Sequence, residues 1–235
     1  MILTNTNRGD SINTQKIILD LCGGTGSWSK FYKENGYNVK VLTLPDFDVT
    51  RWKDSIEISS LVFSNQVYGI LAAPPCTMFS IARCDKTAKE ERDLRKGMYI
   101  VHSCLEIVCE CLYISHKRNE KGLKFWALEN PYTGYLKRFL GLPPLVFHPY
   151  EYGDPYTKAT AICGDFSFPV QNKVTPREFK LPNSDNRDFV SCVEHYADLK
   201  QIPDGYQQLT GYTKRQILRS MTPLGFAEAF YKANK

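Results

Sequence analysis

No two cysteines in this sequence have Cys-x-x-Cys spacing, which argues against a zinc- or disulfide-stapled module. The eight cysteines are scattered along the chain. The closest two, Cys109 and Cys111, fall about 200° apart around a helix, a geometry that suits neither a disulfide nor a shared zinc ion. No metal site is expected. Cys104, Cys163 and Cys192 sit in apolar runs and read as core fillers in a reducing cytoplasm. No uninterrupted apolar run reaches membrane-spanning length, so no membrane association is expected. Residues Met1 to Gln15 lack the apolar core of a signal peptide and read as a flexible arm. Neither sign of charge dominates: 30 Lys and Arg stand against 25 Asp and Glu, a net +5. That balance permits a polyanionic partner without demanding one. Repeats and low-complexity tracts are absent.

What is present is 235 residues, 43% of them hydrophobic, enough for one cored domain. Strand-like runs recur at 16–21, 38–44, 68–73 and 124–129, with segments of helical length between them. This alternation predicts an α/β fold with a mostly parallel sheet and helices on both faces. The longest predicted helix spans about 89–116, with Met98, Val101, Leu105, Val108 and Leu112 as its apolar stripe. Gly97 weakens its first turns. Past Leu142 prolines cluster, and 167–210 are polar and poorly periodic. Thr222-Pro223 signals a last helix, with Pro223 at its first helical position. The expected division is an arm over 1–15, a catalytic domain over 16–165 and 211–235, and a small irregular lobe over 166–210. Three basic clusters stand out: Lys117, Arg118, Lys121 and Lys124; Lys137 and Arg138; and Lys214, Arg215 and Arg219.

Three loops carry chemistry, each at the carboxyl end of a predicted strand. The first is Asp20-Leu-Cys-Gly-Gly-Thr-Gly26. Three glycines in four residues let backbone approach a ligand closely, with a helix start behind. The loop lacks the Lys-Ser/Thr of a P-loop and suits a nucleoside cofactor better than a triphosphate. The alternative is a tight structural turn. The second is Ala73-Pro-Pro-Cys76, which sets a thiol on a stiff turn as a candidate nucleophile. The alternative is an inert turn cysteine. The third is Leu128-Glu-Asn-Pro131, where Glu129 is a candidate acid/base in a semi-buried site. The alternative is a cap or a surface ion pair. A cofactor loop, a nucleophile and an acid/base on one rim match the pattern of an active site.

These motifs, in this order, resemble the cytosine-C5 DNA methyltransferase family, especially its short phage-type members. Over 16–165 and 215–233 the glycine loop is similar to the family's S-adenosylmethionine loop. Pro74-Pro75-Cys76 resembles its catalytic Pro-Cys motif. Asp93-Leu-Arg-Lys-Gly-Met98 resembles the segment before its long helix, Glu129-Asn130 its Glu-Asn-Val motif, and 220–230 its last motif. The resemblance implies a Rossmann-like methyltransferase fold and methyl transfer from S-adenosylmethionine to C5 of cytosine, through a covalent bond between Cys76 and C6. It implies catalytic roles for Cys76, Glu129 and Lys158, cofactor contacts at Asp20, Cys22, Gly23, Gly24, Thr25, Gly26, Asp48 and Pro74, and substrate contacts at Pro75, Arg95, Asn130 and Thr160. Arg83 and the basic residues of 214–219 are further candidates for phosphate.

The departures from the pattern are local. The second strand ends Leu42-Thr-Leu-Pro45, without the family's ribose-binding acid, and Asp46 or Asp48 is the substitute. The family's Gln-x-Arg-x-Arg motif falls at 156–160, leaving Lys158 and Thr160. About forty irregular residues stand where a large target-recognition domain is usual, so recognition of DNA is reduced or supplied by a partner subunit. RNA or a free cytidine nucleotide is the alternative substrate, and a non-catalytic partner subunit the alternative role. The expected compartment is the bacterial cytoplasm.

Overall fold

A strand buried at every residue belongs inside a sheet covered on both faces. Ile17–Leu21 (β1) is such a strand. The computed structural model describes residues 13–81, 83, 90–174, 189–196, 209 and 213–235. Residues 1–12 of the arm expected over 1–15, and most of 175–212, lie outside the described residues. The remaining strands are β2 (Asn38–Leu42), β3 (Val67–Ala72), β4 (Phe125–Pro131), β5 (Leu145–Phe147), β6 (Tyr156–Thr157), β7 (Thr160–Asp165) and β8 (Val190–Ser191). Six of them form one sheet in the order β2-β1-β3-β4-β7-β5. β2, β1, β3 and β4 pair in parallel, while β7 runs antiparallel to both β4 and β5. β6 and β8 pair separately. The fold is α/β with a mostly parallel mixed sheet.

The helices are α1 (Lys30–Glu34), α2 (Ile56–Phe63), α3 (Leu94–Arg118), α4 (Lys137–Leu140), α5 (Cys192–His195), α6 (Lys214–Ser220) and α7 (Leu224–Ala233). They cover both faces with different materials. One face is largely aliphatic: Val101, Cys104, Ile107, Val108 and Cys111 of α3 and Ile58 and Val62 of α2 pack on Leu19, Leu21 and Ile70. The other is aromatic: Tyr32 of α1 and Phe226, Phe230 and Tyr231 of α7 pack with Trp28, Phe125 and Phe147. The Phe147 and Phe226 rings stack at 3.9 Å. Such a pair adds about 1 kcal/mol beyond its buried area.

Three boundaries differ from expectation for identifiable reasons. α3 starts at Leu94 because Asp93 caps it, accepting from the Arg95 and Lys96 N–H groups. Pro223 is the N-cap of α7 and not its first helical residue. The proline-rich stretch past Leu142 supplies β5 and β7, which the scattered prolines and short runs hid. By length and composition α3 passes for a membrane span, although its most buried residues pack on the sheet.

Candidate active site

From β1 the chain moves to one side to form β2, then returns across β1 to form β3. Reversals of this kind open a crevice at the strands' carboxyl ends, where ligands bind in open α/β sheets. The glycine loop follows β1 and the Pro-Cys turn follows β3, so they flank that crevice. Glu129 lies near the carboxyl end of the next strand over, two residues before its last.

The Pro-Cys turn is held from three sides. The Ala73 N–H bonds the Leu21 carbonyl at 2.9 Å. Asn130 Nδ2 donates to the Pro74 carbonyl at 3.1 Å. Arg92, which sequence patterning did not single out, donates to the Met78 and Ser80 carbonyls at 3.0 and 3.1 Å. A lone arginine in a polar segment carries no pattern that could have found it. Cys76–Met78 form one 3-10 turn, and the Cys76 carbonyl accepts from the Phe79 and Ser80 N–H groups. Gly97 of α3 makes room for this turn: a Cβ there would lie 2.8 Å from Phe79 and 2.9 Å from Met78.

Lys158 lies on the turn between β6 and β7. Its ammonium is 3.7 Å from the Glu129 carboxylate, both side chains being less than one-fifth exposed. Burial pushes the Cys76 thiol above its ordinary range, and the Glu129 carboxylate pushes it further; Lys158 and Arg219 oppose them. One acid and two cations therefore act on a single sulfur. The same two cations act on Cys192, whose thiol burial also pushes up. Arg219, which the sequence offered only as one of several candidate phosphate contacts, thus also acts on the Cys76 thiol.

Several expected site residues do other work. Thr160 is fully buried, and its hydroxyl donates to the Lys158 carbonyl at 3.0 Å. It fixes the turn that carries Lys158 and does not reach the opening. Asp20 is also fully buried, beneath the glycine loop. Ser29 Oγ donates to Asp20 Oδ2 at 2.5 Å, and Oδ1 has no partner among the described residues. Burial raises the Asp20 carboxyl to about 7, with the Ser29 hydroxyl opposing. A Cβ on Gly23 would lie 2.4 Å from that carboxyl group, so glycine is needed where the loop crosses it. Asp48 caps the 3-10 segment Val49–Asp54, accepting from the Thr50 N–H at 2.9 Å and the Thr50 hydroxyl at 2.7 Å. Pro74 is buried, Pro75 exposed, and Arg95 almost fully exposed at 3.6 Å from Asp93.

The glycine loop itself is shaped for close backbone approach. Cys22, Gly24 and Gly26 all adopt left-handed conformations, and the Gly26 N–H closes the loop on the Gly23 carbonyl at 2.9 Å. The Cys22 side chain meets Cys104 of α3, and this contact, with burial, pushes the Cys104 thiol up. From the far side, the Thr222 N–H bonds Ser27 Oγ at 2.8 Å, and Trp28 packs edge-on against Phe230 at 5.5 Å. The C-terminal segment thus sets the loop's position. Leu44 is exposed just past β2, where the resembled family carries its ribose acid.

No protein-family model matches the chain, and no curated protein matches it. Among the described residues seven cysteines are free.

Proposed function

We propose that the protein is a methyltransferase with a Rossmann-like fold that acts on C5 of cytosine in DNA. The observation that carries this reading is the convergence of Cys76, Glu129 and Lys158 beside a glycine loop at the sheet's reversal point. Gly23 to Gly26 would hold S-adenosylmethionine, which would supply an electrophilic methyl group. The Cys76 thiolate adds to C6 of the ring, which makes C5 nucleophilic. Glu129 holds the N3 and amino edge of the base and balances the charge that develops there. The methyl would pass from the sulfonium to C5, releasing S-adenosylhomocysteine; water would take the C5 proton, and the electron pair left behind would re-form the C5–C6 double bond and expel the Cys76 thiolate. Because the resting thiol is held above its ordinary range, deprotonation accompanies base binding, with Lys158 and Arg219 stabilising the thiolate. In duplex DNA the base leaves the stack to reach the Cys76 thiol. The free thiols support a reducing, cytoplasmic setting.

The test uses labelled S-adenosylmethionine and DNA containing 5-fluorocytosine, which cannot lose its C5 substituent as a proton. A labelled covalent complex that forms with the wild type and not with Cys76→Ala is the expected result. A complex that persists in Cys76→Ala, or none with the wild type, overturns the reading.

A further inference from the structure

Just past Glu129 the chain crosses the surface beside the Cys76 turn. The Tyr135 N–H bonds the Phe79 carbonyl at 2.9 Å, so this stretch is continuous with the turn that carries the thiol. Between Glu129 and Glu151 there is no Asp or Glu. Lys137 and Arg138 fall within that interval, and among the described residues neither has a carboxylate partner. Both lie over aromatic rings. The Lys137 ammonium is 4.0 Å from the Tyr132 ring centre, and the Arg138 guanidinium 4.8 Å from that of Tyr135. Arg92 lies 5.2 Å from the same Tyr135 ring. Phe139, beside them, is half exposed.

Cations seated on rings lose less freedom on meeting an anion than cations on free stems. Cations interleaved with aromatic side chains suit a phosphate backbone with bases to stack. We propose that Lys137 and Arg138, with the rings beneath them, hold the DNA phosphates flanking the cytosine that enters the Cys76 site. This rests on the reading above and deepens it, because it makes flanking nucleotides part of the substrate. It also gives a chain with only a small lobe its own grip on DNA.

The experiment measures binding of a fluorescein-labelled DNA duplex by anisotropy across a salt series, alongside methylation of the same duplex. Two phosphate contacts predict that the double variant Lys137→Gln/Arg138→Gln binds about tenfold more weakly at moderate salt, with a log–log salt slope shallower by about two. The control is Lys117→Gln/Lys121→Gln, at the opposite end of α3, which keeps the wild-type slope. An unchanged slope in the Lys137/Arg138 variant, with wild-type DNA binding intact, overturns this proposal alone. A wild-type protein that binds no DNA overturns both this proposal and DNA as the substrate. A lost grip on DNA in the variant, with no methylation by either protein, leaves the surface standing and removes the methyltransferase.

Discussion

Two carboxylates near the carboxyl ends of strands that flank β3 meet opposite fates here. Asp20 on β1 is sealed under the glycine loop, with one hydroxyl for company and one oxygen unpaired among the described residues. Glu129 on β4 stays partly open, faces the Lys158 ammonium and acts on the Cys76 thiol. The half of the rim around Asp20 is built from backbone and locked by aromatic packing onto α7. The half around Glu129 is built from side chains whose charges face one another. An acid at a strand end is therefore not diagnostic by itself; the neighbouring groups decide whether it is sealed beneath a loop or left facing other charges.

The largest expected effect falls on the sealed acid. Its folded-state carboxyl is raised from 3.8 to about 7, so between those values the folded protein holds a proton that the unfolded chain releases. Stability from this group therefore falls as pH rises from about 4 to about 7 and then levels off. A shift of that size corresponds to roughly 4 kcal/mol. Asp20→Asn, which mimics the protonated acid, should flatten that slope in urea unfolding curves taken across the range, with turnover largely retained. Loss of turnover without a change in slope would break the contrast with Glu129. Next comes the open acid: Glu129→Gln should keep cofactor binding, read by calorimetry, while turnover drops at least about a hundredfold. Near-wild-type turnover would remove Glu129 from the mechanism.

That contrast was only half legible in the sequence. Strand ends, glycines and the Pro-Pro-Cys turn are local signals, and β1 to β4 lie within a few residues of where periodicity puts them. Asp20 and Glu129 look alike in sequence, each a carboxylate on an apolar strand. What separates them is Ser29 reaching back nine residues and Lys158 approaching from a different strand connection. Such tertiary pairings leave no periodic trace. The same holds for Thr160, whose position in the motif suggested a ligand contact and whose burial makes it a support. β5 and β7 escaped because short strands among prolines mimic loop.

A smaller effect sharpens the side-chain half of the rim. Lys158 opposes the rise of the Cys76 thiol, so Lys158→Met should raise that thiol further. The thiolate fraction at neutral pH then falls, and the acid limb of the pH–rate profile moves to higher pH. Glu129 also loses its ion-pair partner, so a several-fold loss of turnover at neutral pH accompanies the move. Lys158→Arg, which keeps the charge, should restore much of the limb's position. A profile unmoved in Lys158→Met would mean that Lys158 acts on Glu129 alone.

The smallest effect concerns Gly97, where two physical terms compete. In isolation, Gly→Ala inside a helix gains about 1 kcal/mol. At this position the new methyl would lie 2.8 Å from Phe79 and 2.9 Å from Met78. Phe79 is fully buried, and its carbonyl accepts from Tyr135, so the turn has little room to give. Overpacking of this kind costs about 1–3 kcal/mol, and it exceeds the helix gain by about 1 kcal/mol. Gly97→Ala should therefore lower the thermal midpoint by a few degrees and slow turnover, because the displaced turn is the one that carries Cys76. A raised midpoint with full turnover would mean that the turn yields easily, and that the thiol half of the rim is the looser of the two.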